Sequence, residues 1–76
     1  MGRYELAVKD LTEMLKSTRN QSSYLVQRGD LYMLMKQFKK AFLDYTTAKE
    51  IDKEWTTIDE KIDKAKQLLA DAAQSK

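Results

Sequence analysis

The stretch "LVQRGDLYMLMKQFKKAFLDYTTAKEIDK", Leu25 to Lys53, has apolar side chains at helical spacing before and after Gly29. A glycine inside a helix costs roughly 1 kcal/mol relative to alanine. That cost is sustained only where a side chain would be in the way. Apolar residues on one side of Gly29 (Leu25, Tyr32) and beside it (Tyr24, Leu31, Met35) predict a helix from about Ser23 to Met35. After the short Lys36-Gln37 connection, Phe38, Ala41, Phe42, Tyr45, Ala48 and Ile51 mark a second helix from Phe38 to about Asp52.

Two more segments flank this pair. Tyr4, Ala7, Val8, Leu11, Met14 and Leu15 share a broad face between about Arg3 and Ser17, and "STRNQSS", Ser17 to Ser23, reads as a loop of short polar side chains that compete for backbone hydrogen bonds. At the other end Thr57 and Glu60 have the spacing of a capping box, followed by a narrow stripe of Ile58, Ile62, Ala65, Leu69 and Ala72. The chain has no proline and 2 glycines, so its class is all-α. Connections this short make neighbouring helices antiparallel, as a closed bundle or an open solenoid.

Composition narrows the function. The 14 Lys and Arg against 12 Asp and Glu are interspersed, a balance that does not point to nucleic acid. With no histidine, no cysteine and no glycine-rich phosphate loop, the chain offers no catalytic constellation, no metal site and no cofactor site, and is read as non-enzymatic. No apolar run is long enough for a membrane span or a signal peptide, which suggests a soluble chain in the cytoplasm. At 76 residues it buries only about 60% of its unfolded surface, without disulfides to support it.

Sliding the chain by 34 residues lays "YELAVKDLTEM", Tyr4 to Met14, over "FKKAFLDYTTA", Phe38 to Ala48. Ala7 meets Ala41, Asp10 meets Asp44, Thr12 meets Thr46, and the apolar register holds throughout. Helix pairs at this period, with Leu25, Gly29, Tyr32, Ala41, Tyr45 and Ala48 at the signature positions, resemble the tetratricopeptide repeat family. Arg28 stands where that family has leucine and Lys53 where it has proline.

The resemblance implies one complete repeat at 22–55, half a preceding repeat at 3–18, and a capping helix at 57–74, in a fragment of a longer protein. Shifted by the same period, Leu25, Gly29 and Tyr32 become Asp59, Asp63 and Lys66, the charged outer face a terminal helix requires. It also implies a tight crossing at Gly29 with Ala41 across from it.

Family resemblance further implies a protein or peptide partner held in a groove of Ser23, Val26, Gln27, Asp30, Met33 and Leu34, as in a scaffold or adaptor of the co-chaperone type. Chaperone-binding relatives clamp a C-terminal carboxylate with lysine, arginine and asparagine. Here those places hold Val26, Gln27 and Asp30, so no clamp is expected. Asp30→Arg or Met33→Glu is expected to weaken partner capture without unfolding the domain.

The alternative is a homodimer through Tyr4, Val8, Leu11 and Leu15, because the first helix has more apolar surface than one neighbour covers. A third reading, an RNA-binding element at Lys36, Lys39 and Lys40 with Arg28, competes with a solvated turn. Asp59 and Asp63 read as a solvated cap rather than a catalytic pair. Trp55 is set to pack under the fourth helix, Met35 to enter the core, and Met33 to be shared between core and binding surface.

Overall fold

The structure, a computed structural model, describes residues Gly2 to Gln74. Its helices are α1 (Gly2–Leu15), α2 (Gln21–Leu34), α3 (Phe38–Ile51) and α4 (Thr57–Gln74), and the described residues contain no strand. The all-α class is as expected. Each helix packs on its chain neighbours, most extensively α2 on α3.

The helices lie in an open slab. A closed bundle of such helices would measure about 27 Å along its axis and about 15 Å in each other direction. The Cα extents are 40 × 33 × 14 Å, so two dimensions are broad and only one is thin. The core lies at the centre of the slab, where Leu25 and Val26 of α2 meet Ala41, Tyr45 and Ala48 of α3 and Ile58 and Ala65 of α4. Leu15, Tyr32, Met33, Phe42, Trp55 and Ile62 pack around it.

Two boundaries differ from expectation, each for a local reason. Gln21, Ser22 and Ser23 belong to α2 rather than to the preceding loop, because a first helical turn has free N–H groups that short polar residues tolerate. The true loop is closed by the Asn20 N–H donating to Thr18 Oγ1 at 3.0 Å, and by Gln21 Nε2 donating to the Leu15 carbonyl at 3.3 Å. At α4, Thr57 is the first helical residue rather than the cap. The turn ahead of it is made by the Ile58 N–H on the Trp55 carbonyl and the Asp59 N–H on the Thr56 carbonyl.

The α2–α3 turn ends α2 with a Schellman motif. The Gln37 N–H donates to the Tyr32 carbonyl at 2.8 Å and the Lys36 N–H to the Met33 carbonyl at 3.0 Å. This puts Lys36 at φ 62°, a left-handed conformation that costs a side-chain-bearing residue about 1 kcal/mol. The three-residue connection, Met35 to Gln37, therefore reverses the chain without glycine, and α2 and α3 run antiparallel in close contact.

Gly29 is what that contact requires. A Cβ at Gly29 would lie 2.6 Å from Tyr45 Cε1 and 2.9 Å from Cδ1. The residue against the glycine is thus Tyr45 rather than Ala41, which is fully buried one helical turn earlier on α3. The expectation of a close crossing stands and its partner is corrected.

Candidate functional site

Arg28 occupies an apolar register position of α2, and its charge is matched on three sides. Its Nε donates to Asp44 Oδ2 at 2.8 Å and its Nη2 to Asp44 Oδ1 at 2.8 Å, a bidentate pair with α3. Its Nη1 donates to Thr12 Oγ1 of α1 at 3.0 Å, and that hydroxyl donates to the Val8 carbonyl at 2.7 Å. The guanidinium also lies 5.8 Å from the centre of the Tyr32 ring. Asp44 is buried, at 6% exposure. The hydrogen bonds that Arg28 donates to Asp44 raise its pKa further above its ordinary value, against the opposing effect of burial.

Asp30 joins the other side of α2 to α3 and α4. Its Oδ1 accepts from the Tyr45 hydroxyl at 2.5 Å and from Lys61 Nζ at 3.0 Å, and Lys61 sits 5.9 Å from the Tyr45 ring centre. Burial pushes the Tyr45 phenol well above its ordinary value, and the Asp30 hydrogen bond and charge add to that. Because the folded pKa is raised, the stability it contributes is complete below about pH 10 and is lost as pH rises above it. Relative to Tyr45→Phe, the unfolding constant of the parent chain should rise more steeply above pH 10, by up to about tenfold per pH unit. Urea titrations from pH 8 to 11.5 measure this. Parallel curves would mean that the phenol ionises without unfolding the chain.

The six residues expected to form one groove are distributed among separate places. Val26 is in the core at 6% exposure and offers no surface. Met33 packs partly on the core and borders a small cleft of about 190 Å³ with Asp30, Tyr45, Lys61 and Lys64. Ser23 lies with Asn20, Ser22, Asp52, Glu54 and Trp55 around a polar cleft of about 550 Å³. Gln27, Asp30 and Leu34 do come together, facing Ala7, Asp10, Leu11 and Met14 across a cleft of about 460 Å³ between α1 and α2, with Leu31 beside them.

Two expected probes must therefore be replaced. Asp30→Arg would strand the Tyr45 hydroxyl and Lys61, and Met33→Glu would put a charge against the core. Neither isolates binding from folding. Leu34, 61% exposed at the rim of the α1–α2 cleft, does.

The residues expected for self-association divide similarly. Leu11 is 9% exposed and Leu15 packs on the core, so both are largely consumed within the chain, while Val8 is half-buried and Tyr4 is exposed. The open apolar surface of α1 is instead Tyr4, Leu6 and Met14. Leu6 is not among the residues expected to make that contact.

The basic cluster loses a member, since Arg28 is engaged by Asp44. Lys36, Lys39 and Lys40 border a cleft of about 450 Å³ with Phe38 and Leu69, and Lys40 lies 5.6 Å from the Tyr32 ring centre. Asp59 is exposed and paired with Lys49 at 3.3 Å, and Asp63 is exposed. Trp55 and Met35 are half-buried, with Trp55 against the core. No described helix is long and apolar enough to cross a membrane, and the described residues hold no cluster of metal-ligating side chains. The chain matches no protein-family model, no curated protein and no solved structure.

Proposed function

We propose that this chain is a non-enzymatic protein-interaction module of the tetratricopeptide type, a scaffold or adaptor element that captures a protein partner at the cleft between α1 and α2. The observation that carries the reading is the cleft itself: about 460 Å³, floored by Ala7, Leu11 and Leu31, and rimmed by Met14, Leu34, Asp10 and Asp30. Apolar clefts with a few convergent polar groups are where ligands are held. The open slab of antiparallel helices and the Gly29–Tyr45 contact at two signature positions support the family assignment.

Leu34→Glu tests the site. Leu34 is exposed, so the substitution should leave folding within about 0.5 kcal/mol while abolishing capture of the partner through this cleft. Undiminished capture would move the site elsewhere. A second reading, homodimerisation through α1, is favoured by Leu6 at 62%, Tyr4 at 43% and Met14 at 42% exposure. Light scattering after size exclusion decides it, because a concentration-independent mass of 8.9 kDa excludes the dimer.

A further inference from the structure

We propose that the turn from α2 into α3 binds a phosphorylated segment of a partner protein, its phosphoryl group held by Lys36, Lys39 and Lys40. The site is distinct from the α1–α2 cleft and rests on the functional reading only for the class of partner.

The fold leaves a cluster of positive charge unmatched at this turn. Lys36, Lys39 and Lys40 border one cleft of about 450 Å³, and no acid among the described residues lines it. None of the three makes an ion pair among the described residues, whereas Lys16, Arg28, Lys49 and Lys61 each do. Lys39 and Lys40 also stand in the first turn of α3, where the helix dipole disfavours a cation and no acid offsets it. The first α3 amide to meet a carbonyl is that of Ala41, on Gln37, so the N–H groups of Phe38, Lys39 and Lys40 ahead of it are free. All these groups belong to one stretch in the interior of the chain, and together they offer an anion both charge and donors.

Three demands define the ligand. Three lysines and a helix N-terminus match a phosphoryl group, with about −1.5 to −2 of charge and three acceptor oxygens, better than a carboxylate of single charge. Gln37 borders the same cleft, and its Oε1 is shut off from solvent without a hydrogen-bond partner, so it lacks a donor. A phosphoryl dianion cannot donate. The backbone N–H of the residue that carries it can, once the half-buried Gln37 amide turns toward it. Phe38 and Leu69, half-buried beside the lysines, offer an apolar wall to the side chain next to the phosphorylated one. Free phosphate would use the lysines alone, a bilayer would meet them without reaching a buried acceptor, and the phosphodiesters of RNA carry a single charge each. A phosphorylated segment of a protein meets all three demands.

The probes are a short capped peptide with phosphoserine between two leucines, its serine counterpart, inorganic phosphate, single-stranded RNA and vesicles of an anionic phospholipid. Each is titrated into the isotope-labelled full chain. The phosphopeptide should bind tightest and shift the amides of Gln37, Lys39 and Lys40. Lys39→Gln with Lys40→Gln, both at exposed positions, should weaken it at least about tenfold without lowering the melting temperature. Gln37→Met should weaken the phosphopeptide about fivefold and leave inorganic phosphate unaffected. Equal binding by the serine counterpart overturns the proposal, as does binding at least as tight by phosphate, RNA or vesicles, or failure of every probe to bind. If the phosphopeptide fails while Leu34→Glu still abolishes capture of another partner, this inference falls and the functional reading stands. If the phosphopeptide binds while Leu34→Glu leaves that capture intact, the α1–α2 cleft loses its role and the lysine site stands.

Discussion

Asp44→Ala is expected to destabilise the chain by about 3 to 5 kcal/mol, as much as truncating a large core side chain. The reason is what remains behind. Arg28 has a side chain only 19% exposed, in contact with Thr12 and the Tyr32 ring, and cannot swing into water without opening α1 from α2. Without Asp44 its charge is buried with one neutral acceptor. A 76-residue domain has total stability on the order of 4 to 11 kcal/mol, so the variant should be substantially unfolded near body temperature.

The comparison that separates a stranded charge from a lost attraction is the double variant Arg28→Leu with Asp44→Ala. Removing both charges together is often neutral or favourable when the replacement packs well. Leucine at position 28 is also the residue that the repeat pattern has before its glycine. The double variant should therefore recover most of what Asp44→Ala loses. Urea denaturation of the three chains measures it. A loss below about 1 kcal/mol for Asp44→Ala would mean that the pair behaves as a solvated surface bridge.

This pair also shows where sequence reading reaches its limit. The helices were legible because apolar spacing of three and four residues is a one-dimensional property, and Leu25, Ala41, Tyr45, Ala48, Ile58 and Ala65 all lie in the core. Arg28 read as a departure from a pattern and as a member of a basic cluster. That it meets Asp44, 16 residues away, depends on how α2 is rotated against α3. One signal was present: Asp10 and Asp44 are identical across the 34-residue shift at a position beside the apolar face. At Asp44 that acid has a basic partner on the neighbouring helix, Arg28.

The candidate site was less legible for the same reason. Val26, Gln27 and Asp30 are neighbours on one helix, yet one enters the core, one faces α1, and one is tied to Tyr45 and Lys61. Residues a few positions apart on a helix point in directions about 100° apart per step, and which direction is free depends on what packs alongside. The cleft is lined as much by α1 as by α2, and only the folded arrangement of both helices brings Leu34 opposite Met14 and Ala7.

Gly29→Leu is expected to cost about 3 kcal/mol, the upper part of the range for overpacking a close-packed core, and to lower the melting temperature by roughly 10 to 20 °C. Even alanine does not fit without movement, since its Cβ would stand 2.6 Å from Tyr45 Cε1. The ring cannot easily yield. Tyr45 is 2% exposed, lies in the core with Ala41 and Ala48, and is anchored through its hydroxyl to Asp30. In an unconstrained helix Gly29→Ala would gain about 1 kcal/mol of helix propensity, so a net loss isolates the steric effect. Putting the same substitution into a Tyr45→Leu chain makes the test sharper, because leucine is what stands at the equivalent position of α1, Leu11. There Gly29→Ala should become neutral or stabilising, while in the parent chain it should destabilise. A parent chain that melts higher with alanine at 29 would mean that α2 and α3 do not approach closely enough to exclude a methyl group, and that the glycine serves some purpose other than the crossing.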